Sequence, residues 1–478
     1  MAITQLFIEK LLKGNGIEIT AKNKAVFEAY ILEQQTILAV EIIAKNQREL
    51  MENWKIKENC YTILTAALQI PNGNMGKAYF HQFDCNALNF DAMAYHELVG
   101  LEAFGLHYNK QEKTISGIPS QNGDFKIHLK FRVIGENENS ELHQKPINFI
   151  INADPKSLWT DKPSNHADPY WKADAAATFG KFGAKNSVVA SKRGRAHANV
   201  GAFRDDHFAL HHYENSNWSV VAVADGAGSA IFSRKGSEIA CNEVVTYFGK
   251  ELTNQFNSEF DALIQKYVPE NSVGTSNFEV NFKDNKELQQ FVTTTLGNCA
   301  KYVHQKLQEF ATSKKCLLSD LHTTLIFTLF KKFDFGYVLF SFGVGDCPIG
   351  MVSKNQTEVQ LLNWLDVGDY GGGTRFITMP EIFTSDKFES RINFTICSDF
   401  DYLFLMTDGI YDAKFGVEAN LQKIEKWTTF IADLKGANED SHAVIFDETN
   451  TQIAQQLNNW LDFWSPGNHD DRTLAIVF

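Results

Sequence analysis

The sequence predicts an α+β protein with a helical start, a stretch of short strands, and then strands and helices in alternation. Three observations carry this. Residues 2–13 and 24–54 place apolar side chains at helical spacing, Phe27, Tyr30, Ile31, Leu38, Val40 and Ile43 among them, with charged residues between. From about residue 61 to 152 the pattern shortens into strand-like runs separated by turn residues. From Val188 onward, runs that are apolar on both faces alternate with two helical stretches, as sheets packed under helices require.

In order, Gly14 and Gly16 break the first two runs apart, so residues 1–56 read as a helical hairpin, too small to hold a core alone. Residues 57–152 read as a small β-sandwich with strands at 61–70, 98–108, 114–118 and 124–134. In the last of these, Phe125, Ile127, Leu129, Phe131 and Val133 alternate with polar neighbours, the period of a strand with one buried face. Residues 153–185 hold Pro155, Pro163 and Pro169 with Trp159 and Trp171 and show no period, which predicts a linker. Residues 186–478 form the largest predicted domain, with strands at 218–224, 323–330, 335–343, 402–406 and 474–478 and helices at 236–249 and 286–310.

The 478 residues suggest two to four domains at about 150 residues each. A hydrophobic content of 44% with 22% charged residues is that of a globular chain rather than a disordered one. A net charge of −13 argues against nucleic acid as a partner, because binding to phosphate backbones needs a basic footprint. The seven cysteines are dispersed and form no C-x-x-C pair, so neither a disulfide framework nor a zinc site is indicated. The first residues lack a signal-peptide pattern and no stretch approaches 18 apolar residues, which predicts a cytoplasmic protein without a membrane partner.

Within residues 57–152, Ile115, Ser116, Gly117, Pro119 and Gly123 spell I-S-G-x-P-x-x-x-G. This resembles the end of an immunoglobulin-like repeat, which implies a β-sandwich used for contacts.

In the last domain, acidic residues stand repeatedly at the ends of apolar strands. Asp205-Asp206 precede FALHHY, Asp225-Gly226 follow VVAVA, Asp346 follows VLFSFGVG, Asp408-Gly409 follow YLFLMT, and Asp470-Asp471 precede RTLAIVF. One such pair is an ordinary turn. Five in one domain are carboxylates that repel and raise one another's pKa unless a cation sits among them. Carboxylates and carbonyls without histidine or cysteine favour magnesium or manganese.

The order D-D, D-G-A-G (225–228), T-T-L (323–325), G-D-C-P (345–348), T-D-G-I-Y-D (407–412) and D-D-R-T (470–473) resembles the metal-dependent type 2C protein phosphatases of the bacterial branch over residues 186–478. The resemblance implies a four-layer α/β/β/α sandwich of two antiparallel sheets flanked by helices. It implies a serine/threonine phosphoprotein phosphatase in which a water bridging two Mn or Mg ions attacks phosphorus directly. Carried over by motif, Asp225 bridges the metals and Gly226 offers its carbonyl. Asp206 binds one ion, Asp408 and Asp470 the other, Asp205 acts through water, and Asp346 with Asp408 holds a looser third. A phosphoprotein substrate and a cognate protein kinase are the implied partners, in a signalling system.

The match departs at two places. Ala227 stands where the eukaryotic branch often has histidine, and Gly201 stands where the family has its substrate-phosphate arginine. Arg193, Arg195 and Arg204 are the neighbouring arginines, and R-G-x-x-H (Arg193, Gly194, His197) resembles a bacterial form of this loop, so Arg195 and His197 join Asp225 and Asp408 as expected catalytic residues. The departures also motivate an alternative, a pseudophosphatase that acts as a partner-binding regulatory protein. A hydrolase of another phosphate ester on the same scaffold is a third reading. Gly371-Gly372-Gly373 lie where the family carries a flap and predict a hinge for residues 376–379.

Overall fold

A computed structural model describes residues 2–84, 88–268, 285–366, 373–385 and 387–478. The chain divides into two compact units, Met1–Leu158 and Trp159–Phe478. Cys85 and the flap glycines Gly371 and Gly372 lie outside the described residues.

In the first unit the expected helical hairpin is three helices, α1 (Ala2–Gly14), α2 (Lys24–Tyr30) and α3 (Gln34–Thr65). Ile8, Phe27 and Val40 form their small common core. Helix α3 runs through residues 61–65, where the sequence reads as a strand. The reason is tertiary. Ile63 is fully buried in the neighbouring sheet core, and Lys145 Nζ donates to the Leu64 and Ala66 carbonyl oxygens, each at 2.7 Å, which puts a cation on the helix C-terminus.

Seven strands follow: β1 (Gly73–Asn74), β2 (Tyr79–Gln82), β3 (Met93–Val99), β4 (Leu106–Asn109), β5 (Thr114–Gly117), β6 (Gly123–Val133) and β7 (His143–Asn152). They make one sheet of order β1-β7-β6-β3 and another of order β2-β5-β4, both facing a core that includes Leu106, Ile115, Ile127, Phe131 and Phe149. Gly117 of the I-S-G motif has φ +141° and lies where a Cβ would stand 2.4 Å from the Gly105 carbonyl oxygen, so the β4–β5 pairing requires glycine there. The run expected as one strand at 98–108 is two, because a 3-10 turn at Glu102–Phe104 buries Phe104 between them.

The second unit starts before the expected domain boundary. Residues 175–182, read as linker, are strand β8 (Ala175–Phe182), paired along its length with β9 (Lys185–Lys192), and residues 159–174 pack on the same unit. The remaining elements are α4 (Arg195–Val200), β10 (His207–Tyr213), β11 (Trp218–Ala224), α5 (Ser233–Glu251), α6 (Asn254–Tyr267), α7 (Lys286–Lys314), β12 (Leu325–Phe333), β13 (Gly336–Val344), β14 (Ile349–Ser353), β15 (Val359–Leu361), β16 (Ile392–Cys397), β17 (Phe400–Met406), α8 (Asp408–Phe415), α9 (Ile424–Leu434), α10 (Ile453–Trp460) and β18 (Arg472–Val477).

Two antiparallel sheets result, of order β10-β11-β12-β13-β16 and β15-β14-β17-β18-β9-β8. Alternate residues of each strand sort into different cores. Val221, Val223, Ile326 and Leu339 of one sheet meet Val189, Leu403, Leu405 and Ala475 of the other. Val220, Ala222 and Ala224 face α5, α6 and α7, while Phe404, Met406, Leu474 and Ile476 face α8, α9 and α10. Both faces of these strands are covered, which explains the unbroken apolar runs. Among the described residues no helix is long and apolar enough to cross a membrane.

The largest side chain of the core under α5, α6 and α7 is Trp218, fully buried against Phe256, Phe260, Phe333 and Phe340, its indole donating to Asn257 Oδ1 at 3.0 Å. Trp218→Ala is expected to lower unfolding free energy by about 3–5 kcal/mol. Urea denaturation followed by circular dichroism measures this, and a loss below 1 kcal/mol would contradict the packing described.

Candidate functional site

Strand register gathers the acidic strand ends. His207 pairs with Ala224, so the residues just outside that pair, Asp206 and Asp225, share one end of the five-stranded sheet. Leu325 pairs with Val344 at the same end, which brings Thr324 and Gly345-Asp346 beside them. In the other sheet Met406 pairs with Leu474 and Arg472 with Lys192, so Thr407-Asp408, Asp470-Asp471 and Arg193-Gly194 collect at one end as well. Period-2 alternation then sets direction. Phe208 and Leu210, Val221 and Val223, Leu403 and Leu405, and Ala475 and Val477 all contribute to the core between the sheets. Asp206, Asp225, Thr407 and Thr473 continue those parities, and all four reach the same inter-sheet end.

The contacts follow from this. Asp206 is fully buried, and its Oδ2 accepts from Thr407 Oγ1 at 2.9 Å and Thr473 Oγ1 at 2.7 Å. Its Oδ1 is buried and has no hydrogen-bond partner, and the same is true of Asp408 Oδ1. The Asp225 amide donates to Thr324 Oγ1 at 2.9 Å, and its carbonyl accepts from Thr323 Oγ1 at 2.8 Å, so the T-T-L motif holds its backbone. At Gly226 a Cβ would lie 2.8 Å from the Asp205 carbonyl oxygen, so the D-G turn must be glycine for the two acidic loops to touch. Asp346 Oδ2 accepts from Thr374 Oγ1 at 2.8 Å. The adjoining Gly345 amide donates to Asp366, which forms a buried two-pronged pair with Arg391 at 2.5 and 2.9 Å.

Burial and mutual charge shift most of these carboxylates in one direction. Burial, then the charges of Asp408, Asp206, Asp470 and Asp346, push Asp225 well above the usual carboxylate range. Burial, with Asp346 and Asp470, raises Asp408 to about 7, and burial with Asp471 raises Asp206 well above its ordinary value. Asp346 and Asp470 are also raised, chiefly by burial. Asp205 is raised to about 6 by burial and by Asp471, but it stands to one side, its Oδ2 3.9 Å from His197 Nε2.

Asp471, which the sequence reading did not select, organises that side. Its Oδ1 accepts the Gly194 amide at 2.6 Å and His197 Nδ1 at 3.0 Å, and its Oδ2 accepts the Asp205 amide. Burial opposes its charge, yet the hydrogen bond and charge of His197 and the two amides hold it below the ordinary range. For His197 burial again works against the charged form, but Asp471, with Asp205 and Asp470, raises it to about 10. The imidazole ring therefore lies among three carboxylates, its Nε2 3.8 Å from Asp470.

The arginines expected near substrate phosphate are engaged elsewhere. Arg195 donates to the Phe463 and Asp462 carbonyl oxygens at 3.0 and 2.7 Å and to Asp462 Oδ1 at 3.2 Å, away from the carboxylate cluster. Arg193 pairs with Asp161 at 2.7 Å and Asp174 at 3.2 Å. Arg204 donates to the Ala173 carbonyl at 3.0 Å and Ser191 Oγ at 2.5 Å. Arg193 and Arg204 are held by the chain before β8 and Arg195 by residues 462–463, and nothing in motif spacing could reveal that.

Whether a divalent cation fits is decided by the donors. Five buried or half-buried carboxylates of raised pKa, two of them with an oxygen lacking any partner, form an all-oxygen set that compensating positive charge would stabilise, and magnesium and manganese prefer such sets. Asp225 and Asp346 also have oxygens within 4.8 Å of Cys347 Sγ. Thr407, Thr473, Asp471 and Cys347 were missed from sequence. Of these the two threonines had a signal, since each continues the inward parity of its strand.

The family model of protein phosphatase 2C matches residues 193–462. Among solved structures, a bacterial serine phosphatase is 14% identical, covering 61% of this chain and 96% of its own at a TM-score of 0.31. The serine/threonine phosphatase Stp1 from Staphylococcus aureus is 14% identical, covering 66% of this chain and 98% of its own at 0.31. The serine/threonine phosphatase of S. agalactiae is 15% identical, covering 64% and 99% at 0.30. No curated protein matches the sequence. With the family model matched over more than half of its length, the chain belongs to the protein phosphatase 2C family.

Proposed function

We propose that this chain hydrolyses phosphoserine or phosphothreonine in proteins, dependent on manganese or magnesium. The observation that carries this is the meeting of Asp206, Asp225, Asp346, Asp408 and Asp470 at one inter-sheet end, each with a pKa above its ordinary value. Asp206, Asp225, Asp408, Asp470 and the Gly226 carbonyl would hold two cations, and Asp346 with Asp408 a looser third. When bound, the cations would supply the positive charge that makes water a nucleophile near neutral pH and offsets charge on the phosphoryl oxygens. We read the two sheets and their flanking helices as the four-layer α/β/β/α sandwich of the family.

The chain's own residues supply the rest. Thr407 and Thr473 fix the rotamer of Asp206 so that Oδ1 is left free. His197 and Asp471 are positioning residues that tie the Asp205 loop to the Asp470 loop. With Arg193, Arg195 and Arg204 engaged, we assign substrate-phosphate binding to Arg375. This arginine is exposed, its neighbour Thr374 binds Asp346, and its carbonyl lies 3.4 Å from where a Gly345 Cβ would stand. The first unit we assign to recruitment of a partner or substrate, its two sheets and single core supporting the immunoglobulin-like reading. The engagement of the three arginines is also what favours the second reading, a pseudophosphatase that binds cations without turnover.

Hydrolysis of p-nitrophenyl phosphate and of a phosphothreonine peptide, with manganese, with magnesium and with EDTA, separates the two. Turnover is expected only with the cations and is expected to fall at least about 100-fold in Asp408→Asn, the scale on which metal support acts. Cation binding by folded wild type without turnover would establish the pseudophosphatase. Thermal melts provide a second check. Manganese is expected to raise Tm in wild type and much less in Asp225→Asn, because it relieves repulsion present only in the folded state. Arg375→Ala is expected to raise KM for the peptide with kcat little changed, whereas Arg195→Ala is expected to leave KM alone. The reverse pattern in steady-state kinetics would return the phosphate to Arg195.

A further inference from the structure

We infer that residues 159–174, which precede the family-matched span, are a working part of the cation site, with Lys172 as the positioning residue that holds the Asp205-Asp206 loop. This rests on the proposed cation role of Asp206.

The segment touches each piece of backbone that carries an acidic group of this side. At its start, the Trp159 ring lies 4.5 Å from that of His469, the residue before Asp470-Asp471. Thr160 donates through its amide and hydroxyl to Asn199 Oδ1 at 3.1 and 2.9 Å, and the Lys162 amide donates to the Ala198 carbonyl at 2.9 Å, both on helix α4, which carries His197. Asp161 and the Lys162 carbonyl receive Arg193. In its middle, Asp168 accepts from Arg234 Nη2 at 2.9 Å, and the Tyr170 carbonyl accepts Arg234 Nε at 3.0 Å, which pins the segment to the first turn of α5. At its end, the Ala173 carbonyl accepts Arg204 Nε and Asp174 pairs with Arg193.

Between these anchors Lys172 is driven inward and is 7% exposed. Its Nζ donates to the Asp206 carbonyl at 2.9 Å and to Ser237 Oγ at 3.2 Å, and Ser237 Oγ in turn donates to the Asp205 carbonyl. The Lys172 Nζ and one hydroxyl thus fix two consecutive carbonyls of the acidic loop from behind, while Thr407 and Thr473 fix the Asp206 carboxylate in front. A buried lysine whose partners are one backbone carbonyl and one hydroxyl is an expensive way to fill space. Its geometry sets the angle at which the Asp206 side chain leaves the backbone, the function of groups that orient metal ligands.

The test uses the full chain as wild type, Lys172→Met and Ser237→Ala. Manganese is titrated into p-nitrophenyl phosphate turnover, and manganese binding is read directly by electron paramagnetic resonance. Half-saturating manganese is expected to rise about tenfold in Lys172→Met. A smaller rise is expected in Ser237→Ala, and in both, kcat at saturating manganese and KM for the phosphate ester are expected to match wild type. A purely structural role would lower Tm and the active fraction at every manganese concentration without moving the half-saturation point. Unchanged manganese affinity in the folded variants would overturn the inference. Ser237→Ala carries the test if Lys172→Met does not fold. The direct binding measurement decides it even if wild type shows no turnover, a result that would strike the proposed activity and not the role of Lys172.

Discussion

Two threonine hydroxyls from one sheet reach across to a carboxylate from the other, and the acidic end of the second unit depends on that reach. Asp206 stands at the start of β10 in the five-stranded sheet, whereas Thr407 and Thr473 belong to adjacent strand ends of the six-stranded one. Neutral donors satisfy one carboxylate oxygen and add no positive charge. The other oxygen therefore stays buried and unpaired beside Asp225, Asp408 and Asp470. A cationic partner in place of the threonines would quench this concentration of negative charge. Hydroxyls leave it uncompensated by the protein's own charges.

The opposite solution sits a few residues away. Asp471 is as deeply buried as Asp206, yet its oxygens are taken up by His197 and by the Gly194 and Asp205 amides, and its pKa falls where its neighbours' rise. One carboxylate is spent on structure and the others are kept in tension. The close approach this requires explains two glycines. A Cβ at Gly194 would lie 2.2 Å from the Asp470 carbonyl carbon, and one at Gly409 would lie 2.0 Å from the Asp471 carbonyl oxygen.

Much of this was legible in the residues. The strand ends carrying Asp206, Asp225, Asp346, Asp408 and Asp470 could be located because an apolar run stopping at a carboxylate is a local pattern. The central strands were legible for the same reason, since burial on both faces removes polar residues from both parities. What escaped was whatever depends on a distant partner. Helix α3 continues through residues 61–65 because Lys145 accepts the task of capping it from 79 or more residues away. The segment before β9 was read as a linker because its prolines and tryptophans have no period, although β8 pairs along its whole length and the stretch ahead of it is bound by arginines 193, 204 and 234. Arg195 was placed in the site by motif, and its guanidinium goes to the 462–463 backbone.

By itself, then, the sequence determined where the acidic strand ends and their neighbouring glycines stand and the family to which their order belongs. Tertiary structure decided the roles within that set. Asp470 and Asp471 are adjacent and identical in composition, but just ahead of β18 one lies among the carboxylates around Asp225 and the other in a pocket of donors. That choice, like the burial of Lys172 behind Asp206, depends on which elements the sheets bring within hydrogen-bond reach, and reach in space is not a property of spacing along the chain.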